Sequence, residues 1–362
     1  MSSYTPPGRL GNPDLNMSTD PRTHPKLKAV VDAFGMGANV TEGVTETNNL
    51  EVGKAMCEQM ETAIFGLYNS VDMSLPGDEN EDEVEETEEE IDGPDGNKIK
   101  LHIFKPKGVS GKLPGVVYLH GGGMTIVPTY NPVHVRWCKS LALQGTRTIM
   151  PSFRNAYTPT THNPFPAGLN DCCAAVQHIA AHREAYNLSH LILQGESGGA
   201  NLCFATALRA NRENWISSIS GVYGYVPYIS AGYAWSRERK LHDLPSQLEN
   251  EGYFLNPQNN AALAFYYSPG PGELEHPLAW PYHATEKDLV GLPEHMVSVD
   301  ELDCFRDEGV AYWRKLTMAG VKASCDVNLG VMHGAALIFR NALPEVHRKQ
   351  VEAIAAFAKR VG

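Results

Sequence analysis

The chain has 362 residues, 42% apolar and 20% charged, enough to bury a large core as one sizeable α/β domain or two smaller ones. Its 33 glycines and 24 prolines occur without a period, which excludes collagen-like, coiled-coil and wholly disordered classes. The net charge of −12 is local, since eleven acidic residues and no basic one fall between positions 78 and 92; the near-neutral remainder offers no basic stripe to nucleic acid, and the acidic run would repel an anionic membrane.

Positions 1–28 are polar and lack the apolar stretch of a secretory signal, and the chain nowhere holds the roughly 18 consecutive apolar residues of a membrane span. Apolar residues at helical spacing over 27–34 and 52–67 predict an N-terminal helical arm, residues 1–80. A strand from Val84 then reaches the turn Asp92-Gly93-Pro94-Asp95-Gly96-Asn97, and alternation over 98–103 completes a hairpin whose lysines face glutamates. The acidic run therefore reads as a solvated strand and loop.

From residue 115 to about 221, strands at 115–119, 146–151 and 190–194 alternate with helices at 133–143, 168–186 and 200–212. That order predicts a mostly parallel sheet with helices on both faces and a site at the carboxyl ends of the strands. The alternation breaks after Val222: twelve of 31 aromatic residues lie between Tyr223 and Tyr282, which predicts an apolar-lined insertion over 223–285. A strand at 295–299, a helix at 307–318, a strand at 323–329 and a helix at 344–361 follow. Residues 81–362 thus read as one α/β domain carrying an insertion.

Two glycine-rich turns carry the chemistry. Gly195-Glu196-Ser197-Gly198-Gly199 follows a strand and opens a helix, the setting in which Gly-x-Ser-x-Gly exposes a nucleophilic serine on a strained turn. His120-Gly121-Gly122-Gly123 closes another strand, and consecutive glycines let backbone N–H groups converge on a developing alkoxide. This tetrad is the rarer motif. It predicts an oxyanion hole from Gly121, Gly122 and the N–H of Gly198, with His120 bracing the loop. A serine needs a base, and the base a carboxylate, each in a loop after a later strand. His333 is the one histidine in the loop after the last strand. Asp300, Glu301 and Asp303 compete for the acid, of which Asp303 is preferred.

These motifs, with the Asp303-Cys304-Phe305-Arg306-Asp307-Glu308-Gly309 run and the late His333-Gly334, resemble the hormone-sensitive-lipase family of α/β-hydrolases. Further matching stretches are Phe153-Arg154-Asn155-Ala156, Asn163-Pro164-Phe165-Pro166 and Ala279-Trp280-Pro281-Tyr282. The likeness spans residues 91–343; the first 80 match loosely. It implies an α/β-hydrolase fold with a helical cap, and a carboxylesterase with Ser197 as nucleophile, Asp303 and His333 as partners, and Gly121, Gly122 and Gly198 as oxyanion hole. Cys304 stands where the family usually has Pro, and Gly198 where most members have Ala.

The expectation is a serine hydrolase that cleaves short-chain or compact esters, lactones among those to be tested, through an acyl-enzyme. No metal or organic cofactor is expected, because no His-Glu-x-x-His or clustered Cys/His set occurs. Cys172 and Cys173 read as core thiols, His178 and His182 as surface residues. The competing readings are a non-catalytic small-molecule receptor on the same fold, against which His333 argues, and an amidase or peptidase. Seven cysteines without C-x-x-C spacing point to a reduced, cytoplasmic compartment. The expected partner is a small-molecule ester, with a homodimer as the assembly to test.

Overall fold

The computed structural model describes residues 5–41, 43–75 and 81–362; part of the predicted arm, and Asp78 and Glu79 of the acidic run, lie outside the described residues. Eight strands form one sheet: β1 (Val84–Asp92), β2 (Lys98–Pro106), β3 (Leu113–Leu119), β4 (Arg147–Pro151), β5 (Leu188–Glu196), β6 (Gly221–Tyr225), β7 (Glu294–Asp300) and β8 (Ala323–Asn328). Their spatial order is β1-β2-β4-β3-β5-β6-β7-β8. β1 pairs antiparallel with β2 and β2 with β4, while every pair from β4 to β8 is parallel. As predicted, the hairpin sets lysines against acids, with Lys98–Asp92 at 2.6 Å, Lys105–Glu85 at 3.0 Å and Lys100–Glu88 at 3.1 Å. Exposed pairs of this kind contribute at most about 1 kcal/mol each, so they neutralise the strand more than they stabilise it.

The predicted helices are present, though the one expected over 168–186 is Ala167–Ala181 and gives way to turns. One strand departs from the sequence reading. β6 was not predicted, because its Gly-Val-Tyr-Gly-Tyr sequence has two poor strand formers. Both glycines answer to packing. A Cβ on Gly221 would lie 2.8 Å from the Phe357 ring, and one on Gly224 would lie 2.3 Å from the Phe204 ring. Positions 221 and 224 point to opposite sides of a pleated strand, so helices Gly198–Arg212 and Pro344–Arg360 cover opposite faces of the sheet. Tyr223 and Tyr225 consequently belong to the sheet, and the predicted 223–285 insertion begins only after Tyr225.

Part of the remaining stretch packs against the arm. Helix Leu50–Ser70 lies along helix Pro257–Tyr267, and Gly53 sets their spacing: a Cβ there would lie 2.9 Å from Tyr266 Cβ and 3.0 Å from the Ala262 carbonyl oxygen. A branched side chain at that position forces the helices apart, at a cost of about 1–3 kcal/mol. Gly53→Val is therefore expected to lower the melting temperature by several degrees with the sheet intact by circular dichroism; an unchanged melting temperature would show that the contact is loose.

Candidate active site

The strand-to-helix turn at Ser197 is strained. Ser197 has φ 55° and ψ −121°, outside the regions that ordinary residues populate. The neighbouring glycines make the turn sterically possible. A Cβ on Gly195 would lie 2.4 Å from the Gly199 carbonyl carbon, and one on Gly199 would lie 1.9 Å from the Leu119 carbonyl oxygen. The turn is held by Ser197 N–H donating to the Tyr225 carbonyl at 2.9 Å and Tyr228 N–H donating to the Ser197 carbonyl at 3.2 Å. The unpredicted strand β6 thus anchors the serine.

The loops after β7 and β8 bring Asp303 and His333 together. His333 Nδ1 lies 2.7 Å from Asp303 Oδ2, and both residues are buried. A carboxylate only accepts, so Nδ1 carries the proton and Nε2 is left as a base. Asp303 Oδ1 accepts from Phe305 N–H at 2.9 Å, and the Phe305 ring stands edge-on to the imidazole with centroids 5.4 Å apart. The rival Asp300 is differently employed. It accepts from Tyr225 O–H at 2.8 Å, Asn328 Nδ2 at 2.9 Å and Gly334 N–H at 3.1 Å, and burial pushes its carboxyl up to about 7. It props the His333 loop from behind.

The oxyanion assignment needs one correction. Gly121 N–H donates to Glu196 Oε1 at 2.7 Å, so this amide is committed and cannot meet a substrate oxygen. The amides of Gly122 and Gly123 have no protein acceptor among the described residues, and both glycines line the cavity that holds Ser197 and His333. Gly122 has φ +100° and a Cβ there would lie 2.2 Å from the Ile126 carbonyl oxygen, so the loop requires glycine at that point. Gly198 approaches the same loop: a Cβ on it would come within 2.7 Å of Gly123 N and 2.6 Å of Met124 N. That contact accounts for glycine where alanine is usual. His120 braces the loop as expected, donating from Nδ1 to the Gly121 carbonyl at 2.7 Å and accepting from Thr129 O–H at Nε2, 2.9 Å away. Burial pushes its pKa down to about 4, so the ring is a neutral spacer.

Two sets of residues at the site escaped the sequence reading. Glu196 sits at the variable position of the Gly-x-Ser-x-Gly motif, where the pattern prescribes nothing. The arm helix places Met60, Ile64 and Tyr68 in the wall of the cavity that Ser197 and His333 line; the family resemblance implies that the arm covers the site, but their spacing of four does not say that these residues face the cavity. The cavity holds about 60 Å³. A larger chamber of about 580 Å³ shares Met60, Ile64, Phe254 and Leu255 with it. Elsewhere Cys172 and Cys173 are buried thiols, and the half-buried His178 and exposed His182 lie with their rings tilted by 30°, centroids 4.2 Å apart. Among the described residues no group of three or more His, Cys, Asp or Glu side chains is placed to hold a metal ion.

Glu196 accepts from Tyr118 O–H at 2.9 Å as well as from Gly121, but burial dominates and pushes its pKa up to about 8. Between the ordinary carboxyl pKa and about pH 8 the folded chain therefore binds a proton that the unfolded chain has lost, and stability falls as pH rises through that window. Glutamine mimics the neutral acid. The melting temperature of Glu196→Gln relative to wild type is expected to rise from pH 5 to pH 8 and then level; a difference independent of pH would mean that the carboxyl is already ionised at pH 5.

Comparison with known proteins agrees with this architecture. Residues 116–337 match the family described as alpha/beta hydrolase fold. The solved structure of brefeldin A esterase, described as a bacterial homologue of human hormone sensitive lipase, is 45% identical, with a TM-score of 0.95 and 99% of each chain covered. That of esterase Est22 is 36% identical at a TM-score of 0.80, covering 95% of this chain and 99% of the other. The carboxylesterase NlhH of Mycobacterium tuberculosis is 27% identical over 321 residues, 87% of this chain and 89% of that protein. With an eight-stranded, mostly parallel sheet, a serine on a strand-to-helix turn and this similarity along nearly its whole length, the chain belongs to the α/β-hydrolase fold family, among the homologues of hormone-sensitive lipase.

Proposed function

We propose that the protein is a serine carboxylesterase acting through an acyl-enzyme on small esters, with Ser197 as nucleophile, His333 as general base and acid, and Asp303 as its orienting carboxylate. The observation that carries this reading is the 2.7 Å hydrogen bond between His333 and Asp303 at the wall of the cavity that Ser197 also lines. Ser197 Oγ attacks the ester carbonyl while His333 Nε2 takes its proton, and Asp303 holds the tautomer and stabilises the imidazolium. The oxyanion accepts N–H donors from Gly122, Gly123 and Gly198, each worth about 3–4 kcal/mol in such sites. His333 then protonates the departing alcohol. In the second half-reaction it deprotonates the water that releases the acid. A receptor on this fold would have no use for an intact base and acid beside the serine. The arm helix and the insertion act as the cap that excludes water from the acyl-enzyme. The absence of any disulfide among the seven cysteines supports a reduced, cytoplasmic setting.

Cavity size supports a compact acyl group. About 60 Å³ corresponds to roughly four to six water positions, the bulk of an acetyl to butyryl chain. Among p-nitrophenyl esters, acetate to butyrate are expected to exceed palmitate in kcat/KM by at least about tenfold, an effect of ~1.4 kcal/mol; efficient palmitate cleavage would overturn the size argument. A macrolactone and a matched anilide in the same panel separate a lactonase or amidase from a simple esterase.

Ser197→Ala is expected to fold normally and lose at least ~10³-fold in kcat, since only binding and the oxyanion hole remain. Asp303→Asn is expected to cost far more activity than Asp300→Asn, because only Asp303 bonds the imidazole. Steady-state kinetics of the three purified variants decides both points. Near-normal turnover by Ser197→Ala, or the reverse order for the two aspartates, would refute the assignment.

A further inference from the structure

The segment 20–24, ahead of helix Pro25–Ala33, touches the loop that bears the base and reaches the loop that bears the acid through one intervening side chain. On the base side, His24 N–H donates to the Gly330 carbonyl at 2.8 Å, three residues before His333. Gly330 has φ +74°, and a Cβ there would lie 2.9 Å from the Arg22 carbonyl oxygen and 3.1 Å from His24 N. The two backbones lie in direct contact, with no space for a side chain.

On the acid side the link runs through Arg22. Its guanidinium pairs with Glu249 and donates from Nη2 to Asn250 Oδ1 at 3.1 Å. Asn250 in turn donates from Nδ2 to the carbonyls of Glu301 and Asp303, both at 3.0 Å. Glu249 also receives the fork of Arg306 at 2.9 and 2.8 Å, and Arg306 donates to the Glu301 carbonyl at 3.0 Å. One side chain therefore separates Arg22 from the backbone of Asp303. Asp20 aims the guanidinium, accepting from Nε at 3.0 Å and Nη2 at 2.7 Å, and is itself fixed by Tyr253 O–H at 3.0 Å.

The two loops are also tied to each other, by Gly330 N–H to Glu301 Oε2 at 2.7 Å and by Leu302 N–H to the Val331 carbonyl at 3.0 Å. Asp20, Glu249 and Asn250 are all at least 96% buried. Removing Arg22 leaves Asp20 without its cation, Glu249 with Arg306 alone and Asn250 Oδ1 without its donor. In a low-dielectric site such losses are relieved by movement of the backbone that carries them.

We infer that segment 20–24 is a strap that registers the acid and base loops against each other, with Arg22 as its positioning residue. The inference rests on the reading of Asp303 and His333 as the catalytic pair. It differs from a cap role in a measurable way. None of residues 20–24 lines the catalytic cavity or the chamber beside it, so the strap acts on proton transfer and not on which ester fits. A displacement of about 1 Å in such a constellation can lower the rate by ~10²-fold.

Steady-state kinetics of full-length Arg22→Ala and Arg22→Lys on p-nitrophenyl acetate and butyrate tests this. Arg22→Ala is expected to lose at least ~10-fold in kcat on both esters equally, with KM within about threefold of wild type. Arg22→Lys keeps the cation without the planar fork and is expected to recover part of the loss. A folded Arg22→Ala with wild-type kcat, or one altered only in KM or in the acetate-to-butyrate ratio, would overturn the strap. Should Arg22→Ala fail to fold by circular dichroism, Arg22→Lys decides: lowered kcat at constant KM supports the strap, and wild-type kcat overturns it. Failure of the esterase reading itself would show separately, as a wild-type protein that turns over neither ester, and would remove the strap with it.

Discussion

The site depends on one steric constraint, the near-contact of β3, β5 and helix Gly198–Arg212 at the end of β5. A methyl group on Gly199 would lie 1.9 Å from the Leu119 carbonyl oxygen, so the helix can start where it does only without one. Because it starts there, Ser197 is forced to φ 55°, a conformation that costs on the order of 1–3 kcal/mol and survives only where its surroundings over-determine it. The tight packing at 195 and 199 supplies that. The same approach brings the loop after β3 against the serine, and the amides of Gly122 and Gly123 come with it.

A second consequence is a buried carboxyl beneath the loop. Glu196 follows the strand direction into the core, where Gly121 N–H and Tyr118 O–H meet it. The bond to Gly121 fixes that amide, and Gly122 and Gly123 line the cavity next to it. Burial pushes the carboxyl up to about 8, which favours its neutral form and keeps negative charge from building up beside the proposed oxyanion hole. The His120 ring, pushed down to about 4 by its own burial, is equally neutral, so the oxyanion loop is shaped by groups that contribute little field of their own.

Much of this was legible in the sequence, for identifiable reasons. Glycine spacing around Ser197, the tetrad at 120–123 and strand-helix alternation reflect local rules, and they single out Ser197, His333 and Asp303, the last two of which the structure joins at 2.7 Å. What was not legible is non-local. The Gly121 amide was misassigned because a motif names residues and not the direction in which their N–H groups point; only the carboxyl of Glu196, 75 positions away, reveals it. β6 was overlooked because Gly221 and Gly224 weaken a strand pattern while satisfying the rings of Phe357 and Phe204. The resemblance implies a covering arm, yet nothing in the helix stripe of Met60, Ile64 and Tyr68 says that these are the residues that line the cavity beside Ser197. The contact of residues 20–24 with the loop at 330–333, and their link through Glu249 and Asn250 to the loop at 301–306, join ends of the chain some 300 residues apart, beyond any local signal.

The central claim is that this strained turn presents one activated serine to the cavity. Its most direct test is covalent: a p-nitrophenyl phosphonate, which forms a stable adduct only with a serine activated by a neighbouring base and an oxyanion hole, followed by intact-mass measurement and peptide mapping. The account predicts one adduct per chain, on Ser197, with loss of all esterase activity in step with labelling. An adduct on any other residue, or full labelling with activity retained, would contradict it.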